Sequence, residues 1–159
     1  MSRFSMLYAG KSLWFVLVAA VCFATLSGAG CGGSTPTTIG LEAAQLPNTG
    51  VRATSTPTYT PGVPLVVSVS VVPDNGSVAY AIEDAPPAGW TVSNINEGGI
   101  FDPLTGKVKW GIFFNQCPTY FSYTATPPAN VSGTQTLTGT LSVDGTNSAL
   151  TGQISLPHS

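Results

Sequence analysis

Charged side chains and histidine are scarce in this sequence. Charged residues make up 8% of its 159 residues, Lys and Arg together number 5, and His158 is its single histidine. Phosphate binding needs clustered Lys and Arg, and the sequence has no basic run, so we expect no nucleic-acid partner. Because His158 stands one residue from the end of the sequence, we expect no Ser or Cys nucleophile paired with it on a rigid element. These shortages argue against an enzyme, and we predict no catalytic residues.

Cysteine is also scarce, with Cys22, Cys31 and Cys117 as its three examples. This number excludes a disulfide framework, and no cluster of Cys, His and carboxylates has the spacing of a metal site. We therefore expect no metal and no other cofactor. Cys117 precedes Pro118 between two predicted strands, and we interpret it as a small buried apolar side chain. Two alternatives stay open: a thiol that pairs with another chain, and a disulfide to Cys31 if Cys31 carries no lipid.

Glu83 and Asp84 form the one adjacent acidic pair of the sequence. A Ca²⁺ ion takes about six to eight oxygen ligands, and Glu83, Asp84 and Glu97 could supply part of such a set if their loops converge. The preferred interpretation is a solvated strand end in front of Pro86 and Pro87.

The first 30 residues have the order of a secretory signal peptide. Arg3 and Lys11 give it a positive start, residues 12–26 form an apolar run, and small residues follow. The apolar run is shorter than the roughly 20 residues that span a bilayer. We therefore predict an exported protein with a signal peptide at residues 1–30.

The end of this segment, Ala29-Gly30-Cys31, resembles a bacterial lipoprotein signal, in which a small residue precedes a cysteine that is lipidated and becomes the new N-terminus. The resemblance implies lipidation of Cys31 and a membrane partner held through that lipid. It also implies a place in the bacterial cell envelope, at the outer membrane or the cell surface. The polar, glycine-rich residues that follow predict a flexible tether over residues 31–48. Cleavage after Ala29 with secretion, and an uncleaved anchor, are the alternatives.

Residues 49–159 show the period-2 alternation of β-strands and no helical period of useful length. The strongest predicted strand is Leu65–Val72, and Thr119–Thr126 is a further, aromatic-rich one. Asn75-Gly76 and Asp144-Gly145 predict hairpin turns. Many short strands separated by such turns are typical of two packed antiparallel sheets. We predict an all-β domain, an immunoglobulin-like sandwich of seven to nine strands without the immunoglobulin disulfide.

The predicted core centres on the two Trp residues of this domain. Alternation along the strands places five side chains in the core: Trp90, Trp110, Val69, Tyr80 and Ile82. The same alternation predicts that Val78 shares a face with Tyr80 and that Ile112 faces inward with Trp110.

The central run resembles an Ig-like repeat of large bacterial cell-surface proteins over about residues 60–157. The matching segments are Pro87-Ala88-Gly89-Trp90, Gly98-Gly99, Asp102-Pro103-Leu104-Thr105-Gly106-Lys107-Val108-Lys109-Trp110, and Phe121-Ser122-Tyr123-Thr124-Ala125-Thr126. The resemblance implies a β-sandwich that serves as a spacer or adhesive module and has no activity of its own. The family usually carries tandem copies, whereas this sequence carries one.

Neighbouring residues of a strand point to opposite faces, so one member of Phe113-Phe114 must lie outward. We predict Phe114 and Tyr120 as surface aromatics. The sequence thus predicts a non-catalytic envelope lipoprotein whose module serves surface structure or adhesion, with a protein as its expected partner. An envelope carbohydrate-binding module, with a glycan as the partner, is the alternative.

Overall fold

The structure is a computed structural model that describes residues 45–114, 117 and 119–159. The predicted signal peptide, the first part of the predicted tether and the lipidation candidate Cys31 lie outside the described residues. The last predicted tether residues are bound to the domain, since Gln45 Nε2 donates to Ser70 O at 3.0 Å and Asn48 N donates to Val72 O at 2.8 Å.

The described residues form twelve strands. In chain order these are β1 Thr49–Thr54, β2 Leu65–Val72, β3 Tyr80–Ala85, β4 Thr91–Ser93, β5 Ile100–Asp102, β6 Lys107–Phe113, β7 Thr119–Thr126, β8 Gln135–Thr136, β9 Thr138–Val143, β10 Thr146–Ala149, β11 Thr151–Gly152 and β12 Ser155–Leu156. The count exceeds the predicted seven to nine because three of these strands are only two residues long.

Two five-stranded sheets form the sandwich. The first sheet has the order β11-β1-β2-β7-β4, the second has the order β10-β9-β3-β6-β5, and β8 and β12 form a separate pair. The pair β1–β11 is parallel, and the other strand pairs of the described residues are antiparallel. The predicted all-β class and two-sheet antiparallel architecture are confirmed.

Alternation along the central strands builds the core between the sheets. In β2 the residues Leu65, Val67, Val69 and Val71 are buried, while those between them are partly or fully exposed. Facing positions of the second sheet bury Tyr80, Ile82, Val108, Trp110 and Leu141. Each such side chain contributes about 1.5–3 kcal/mol through its removal from water.

The two Trp side chains lie inside the sandwich, at 5% exposure for Trp90 and 3% for Trp110. The Trp110 ring lies 5.4 Å from Phe121, and the Trp90 ring lies 5.4 Å from Tyr59. Trp110 Nε1 donates to Asn96 O at 3.0 Å. Trp90 Nε1 has no hydrogen-bond acceptor among the described residues.

Two orientations differ from the sequence analysis. Ile112 is 66% exposed rather than inward, because β3 and β6 change register between the pairs Ile82–Trp110 and Tyr80–Phe113. Two residues of β6 oppose one of β3 there, as in a β-bulge, and the alternation reverses beyond it. Val78 is 72% exposed because β3 begins only at Tyr80. The predicted hairpin at Asn75-Gly76 is wrong, because β2 and β3 lie in different sheets and do not pair with each other.

The part of the chain that the structure describes contains no helix with the length and apolarity to cross a bilayer.

Candidate functional site

The predicted surface aromatics stand at one end of the sandwich, on either side of the connection from β6 to β7. Phe114 directly follows β6 and is 77% exposed, and Tyr120 is the second residue of β7 and is 59% exposed. Ile112, turned outward by the bulge, lies on β6 two residues before Phe114. We name Ile112, Phe114 and Tyr120 the aromatic end.

Paired backbone holds Tyr120 in place on both sides of β7. Tyr120 lies on the outer face of the first sheet, opposite Ser70 of β2, because its neighbour Phe121 is fully buried. The side chain of Asn96 extends the pairing on the other side of β7: its Nδ2 donates to Tyr120 O at 3.0 Å and its Oδ1 accepts from Ser122 N at 2.7 Å. The exposed phenol therefore projects from a fixed position.

Cys117 lies in the same connection and is disulfide-bonded. Thr119 Oγ1 donates to Cys117 O at 3.0 Å, which fixes its backbone beside the start of β7. The interpretation of Cys117 as a buried apolar thiol is wrong, because the residue is partly exposed and its sulfur is oxidised. The chain's other cysteines, Cys22 and Cys31, lie outside the described residues.

Asp84 is not part of a solvated strand end, which corrects the preferred interpretation of the acidic pair. Its side chain is fully buried between the sheets and forms an ion pair with Arg52 of β1. Arg52 Nε donates to Asp84 Oδ1 at 3.0 Å, and Tyr123 of β7 donates its hydroxyl to Oδ2 at 2.8 Å. The signal was present in the sequence, since Asp84 continues the inward positions of Tyr80 and Ile82.

The nitrogen atoms of the Arg52 side chain and both carboxylate oxygens of Asp84 have hydrogen-bond partners, which indicates that this buried network has a structural role. The Arg52 guanidinium also donates to Gln153 O at 3.2 Å, directly after β11, and to Leu137 O at 3.4 Å, between β8 and β9. Burial raises the pKa of Asp84, against the opposing contacts from Arg52 and Tyr123. Burial, followed by the nearby Asp84 charge, raises the pKa of Tyr123. Both charged side chains are 0% exposed, so a substrate has no access to them.

The outer face of the second sheet carries four alternating charges. Lys107 Nζ lies 2.6 Å from Glu83 Oε2, and Lys109 Nζ lies 2.8 Å from Asp102 Oδ2 and 3.7 Å from Glu83 Oε1. The hydrogen bond from Lys109, followed by those from Thr105 and the Leu104 amide, lowers the pKa of Asp102 to about 2. The Lys107 hydrogen bond likewise lowers the pKa of Glu83. Each of these four charged side chains has an ionic partner among the others, so none of the four is free to bind a ligand.

The structure does not bring the three candidate calcium ligands together. Glu83 is bound by lysines on the outer face, Asp84 is in the interior, and Glu97 is exposed in the turn between β4 and β5. No group of three or more His, Cys, Asp or Glu side chains in residues 45–114, 117 and 119–159 could hold a metal ion.

The glycines of the central motif serve its turns and the packing of Trp110. Gly89 has a φ of 81° in the turn closed by Trp90 N to Pro87 O at 3.2 Å. Gly106 has a φ of 68°, and its amide donates to Asp102 O at 2.8 Å. A Cβ atom on Gly99 would overlap the Trp110 indole ring, so only glycine fits there.

No protein-family model and no curated protein sequence matches this chain. Among solved structures, the chain is similar to the N-terminal domain of the Streptococcus gordonii adhesin Sgo0707, with a TM-score of 0.59 and 12% identity over 72% of this chain and 34% of that one. It is also similar to the human F-spondin reeler domain, with a TM-score of 0.51 and 14% identity over 69% of this chain and 89% of that one. The chain thus spans about a third of the length of the adhesin domain structure that it matches. At such identities the likeness shows the β-sandwich fold alone.

Proposed function

We propose that this chain is a non-catalytic, exported β-sandwich of the bacterial cell envelope that serves surface structure or adhesion through its aromatic end. The observation that carries the proposal is the exposure of Phe114 and Tyr120 beside one strand connection. Leaving such side chains in water forgoes about 1.5–3 kcal/mol for each of them. Apolar side chains that are exposed together, rather than scattered singly, are typical of interaction sites.

The location in the envelope is supported by two observations. The first 30 residues have the order of a signal peptide, and Cys117 is disulfide-bonded. Disulfides persist in exported proteins and are rare in the reducing cytosol. The fold likeness to a streptococcal adhesin domain is compatible with a surface role. A membrane tether through a lipid on Cys31 stays a prediction of the sequence.

A carbohydrate-binding module is the second candidate, and the same exposed rings favour it. An aromatic ring held on a rigid strand offers a flat apolar face against which a pyranose can pack. The two candidates differ in the partner of the aromatic end, a protein or a glycan, and they share the residues that would bind it.

Binding of the purified mature protein separates the two candidates. The wild type, a Phe114→Ala/Tyr120→Ala variant and a control variant would be fluorescently labelled and applied to a polysaccharide array and to intact cells of the source bacterium. The control is Val78→Ala/Leu104→Ala, because Val78 and Leu104 are 72% and 95% exposed at other places on the domain. Loss of two hot-spot side chains should weaken binding at least tenfold, whereas the control should stay within about twofold.

Each outcome decides between the proposals. Protease-sensitive binding to cells without array signal supports adhesion to a protein, and array binding that the aromatic variant loses supports the glycan alternative. Binding that both double variants weaken equally, or no binding to either target, would overturn the assignment of the aromatic end.

A further inference from the structure

The turn from Asp74 to Ser77 connects β2 of the first sheet to β3 of the second and closes no hairpin. It contains the one Asn-Gly step of the sequence, Asn75-Gly76. We infer that this step is a modification site, at which the Asn75 side chain cyclises onto the Gly76 amide nitrogen and loses ammonia. The inference does not depend on export or on the partner of the aromatic end.

Hydrogen bonds fasten both ends of this turn to the domain. Ser77 N donates to Asp74 O at 3.0 Å, which closes the turn. Asn48 Oδ1 accepts from Asp74 N at 2.9 Å and from Ser77 Oγ at 3.0 Å, so one side chain holds the two ends together. Asn75 and Gly76 therefore form a tip that protrudes from a fixed base.

The two reacting groups at this tip are accessible, since Asn75 and Gly76 are both exposed. The backbone amide of Asn75 donates to Asp74 Oδ1 at 2.8 Å, but the Asn75 carboxamide and the Gly76 amide have no hydrogen-bond partner among the described residues. A Cβ atom on Gly76 would meet nothing within 4 Å, so the space beside its backbone is open. Neither the attacking nitrogen nor the carboxamide carbon has to break a contact before it reacts.

The reaction needs only water and its hydroxide ion as co-reactants. Hydroxide removes the proton of the Gly76 amide, and the nitrogen attacks Cγ of Asn75. The N–Cγ bond closes a succinimide ring, the Cγ–Nδ2 bond breaks, and the departing nitrogen takes a proton from water and leaves as ammonia. A water molecule then opens either carbonyl of the ring, which gives an aspartyl or an isoaspartyl linkage at position 75.

Glycine on the attacking side favours this ring closure, because a residue without Cβ lets the backbone adopt conformations that other residues rarely reach. Asn147 provides a comparison within the same chain. It is also exposed, but Ser148 follows it, and it lies in β10, where it pairs with Ser142 of β9. Because the ladder fixes its backbone, Asn147 is the matched control site.

Incubation of the purified full chain, followed by peptide mass spectrometry, tests the inference. The mass gain of an exchange of NH2 for OH locates each modified residue, and an isoaspartyl methyltransferase labels the isoaspartyl product. We expect modification at Asn75 to be at least about tenfold faster than at Asn147. It should also be faster at about pH 9 than at about pH 6, because the attacking nitrogen must lose its proton.

Urea separates the contribution of the fold from that of the Asn-Gly step. Because the tip is already accessible in the folded chain, unfolding should change the rate at Asn75 by less than about tenfold. The rate at Asn147 should rise, because unfolding releases β10 from β9. Equal rates at Asn75 and Asn147 in the folded chain, or a larger protection of Asn75 by the fold, would overturn the inference.

Two variants identify the reacting atoms. Gly76→Ala adds a Cβ in open space at a position without a positive φ, so the domain should fold as before while modification at Asn75 slows at least about tenfold. Asn75→Gln moves the carboxamide one carbon further from the backbone, and position 75 should then stay unmodified over the same incubation. Equal rates in the wild type and in a Gly76→Ala protein with the same unfolding midpoint would overturn the inference.

Discussion

At the scale of single residues, the buried carboxylate of Asp84, which accepts from Arg52 and Tyr123, links the two sheets. It joins β1 and β7 of the first sheet to β3 of the second. A buried ion pair can stabilise little in net terms, but the loss of one partner leaves an uncompensated charge. The two sheets are therefore sensitive to each member of this network.

Among substitutions in this network, Asp84→Ala should destabilise the domain more than Tyr123→Phe does. Asp84→Ala strands the Arg52 guanidinium and should lower the free energy of unfolding by about 3–5 kcal/mol. Tyr123→Phe removes one donor and should lower it by about 1–3 kcal/mol. Urea unfolding followed by Trp fluorescence measures both, with the exposed Tyr120→Phe as the control, expected within about 0.5 kcal/mol. A Tyr123→Phe protein as stable as the control would contradict the assigned role.

Gly99 lies against the Trp110 ring and has no space for a side chain. A Cβ atom there would overlap the Trp110 indole ring and would come within 2.7 Å of Ile95 Cγ2. Gly99→Ala should therefore destabilise the domain by about 1–3 kcal/mol through overpacking. Gly76→Ala is the matched control, because its Cβ would meet nothing within 4 Å. Thermal unfolding compares them, and equal midpoints for the two variants would show that the indole can move aside.

At the scale of elements, the hairpin of β5 and β6 depends on the carboxylate of Asp102. Its Oδ1 accepts from Leu104 N at 2.9 Å, and its Oδ2 accepts from Lys109 Nζ at 2.8 Å. These bonds hold its pKa at about 2 in the folded state, against an ordinary value of 3.8. A pKa that folding lowers gives stability above the unfolded value, and that stability is lost as the pH falls through the folded value.

The pH dependence of an Asp102→Asn variant tests this contribution. Above about pH 4 the wild type should unfold at a higher temperature than the variant, and the difference should shrink as the pH falls towards about 2. The comparison isolates Asp102 from Glu83, whose pKa is also lowered. Because these charges are exposed, 1 M NaCl should reduce the difference. A difference that is constant from pH 5 to pH 2 would rule out the carboxylate as its source.

Alternation in the sequence predicted the bounds of two central strands correctly and the face of one residue wrongly. The bounds of β2 and β7, Leu65–Val72 and Thr119–Thr126, are those that alternation predicted. Ile112 was assigned to the wrong face because alternation assumes an unbroken ladder, and the bulge near Gly111 breaks it. The local sequence signal of that irregularity is the glycine inside the predicted strand, Gly111, which has a φ of 117° in the structure.

At the scale of the whole molecule, the two-sheet sandwich was predictable because many alternating strands with hairpin turns have few other ways to bury their apolar faces. The parallel pairing of β1 with β11 was not, because it depends on how the chain returns after β10 rather than on either short segment. The Arg52–Asp84 pair was missed for a different reason: the interpretation gave more weight to the prolines that follow Asp84 than to the inward alternation that Asp84 continues.

The candidate site was predictable in part. Adjacent aromatic residues cannot both face the core, so the exposure of Phe114 follows from its position beside the half-buried Phe113. The disulfide of Cys117 stood only as an alternative in the sequence, because three cysteines form no framework whose spacing would single it out.

The attachment of whole cells tests the central claim most directly, namely that the sandwich acts through its aromatic end. Cells that lack the gene would be complemented with the wild type, Phe114→Ala/Tyr120→Ala or Val78→Ala/Leu104→Ala, at matched surface amounts. The account predicts that the aromatic variant attaches to wild-type cells at least tenfold less well than the control variant does. Equal attachment by the aromatic variant and the control variant would contradict it.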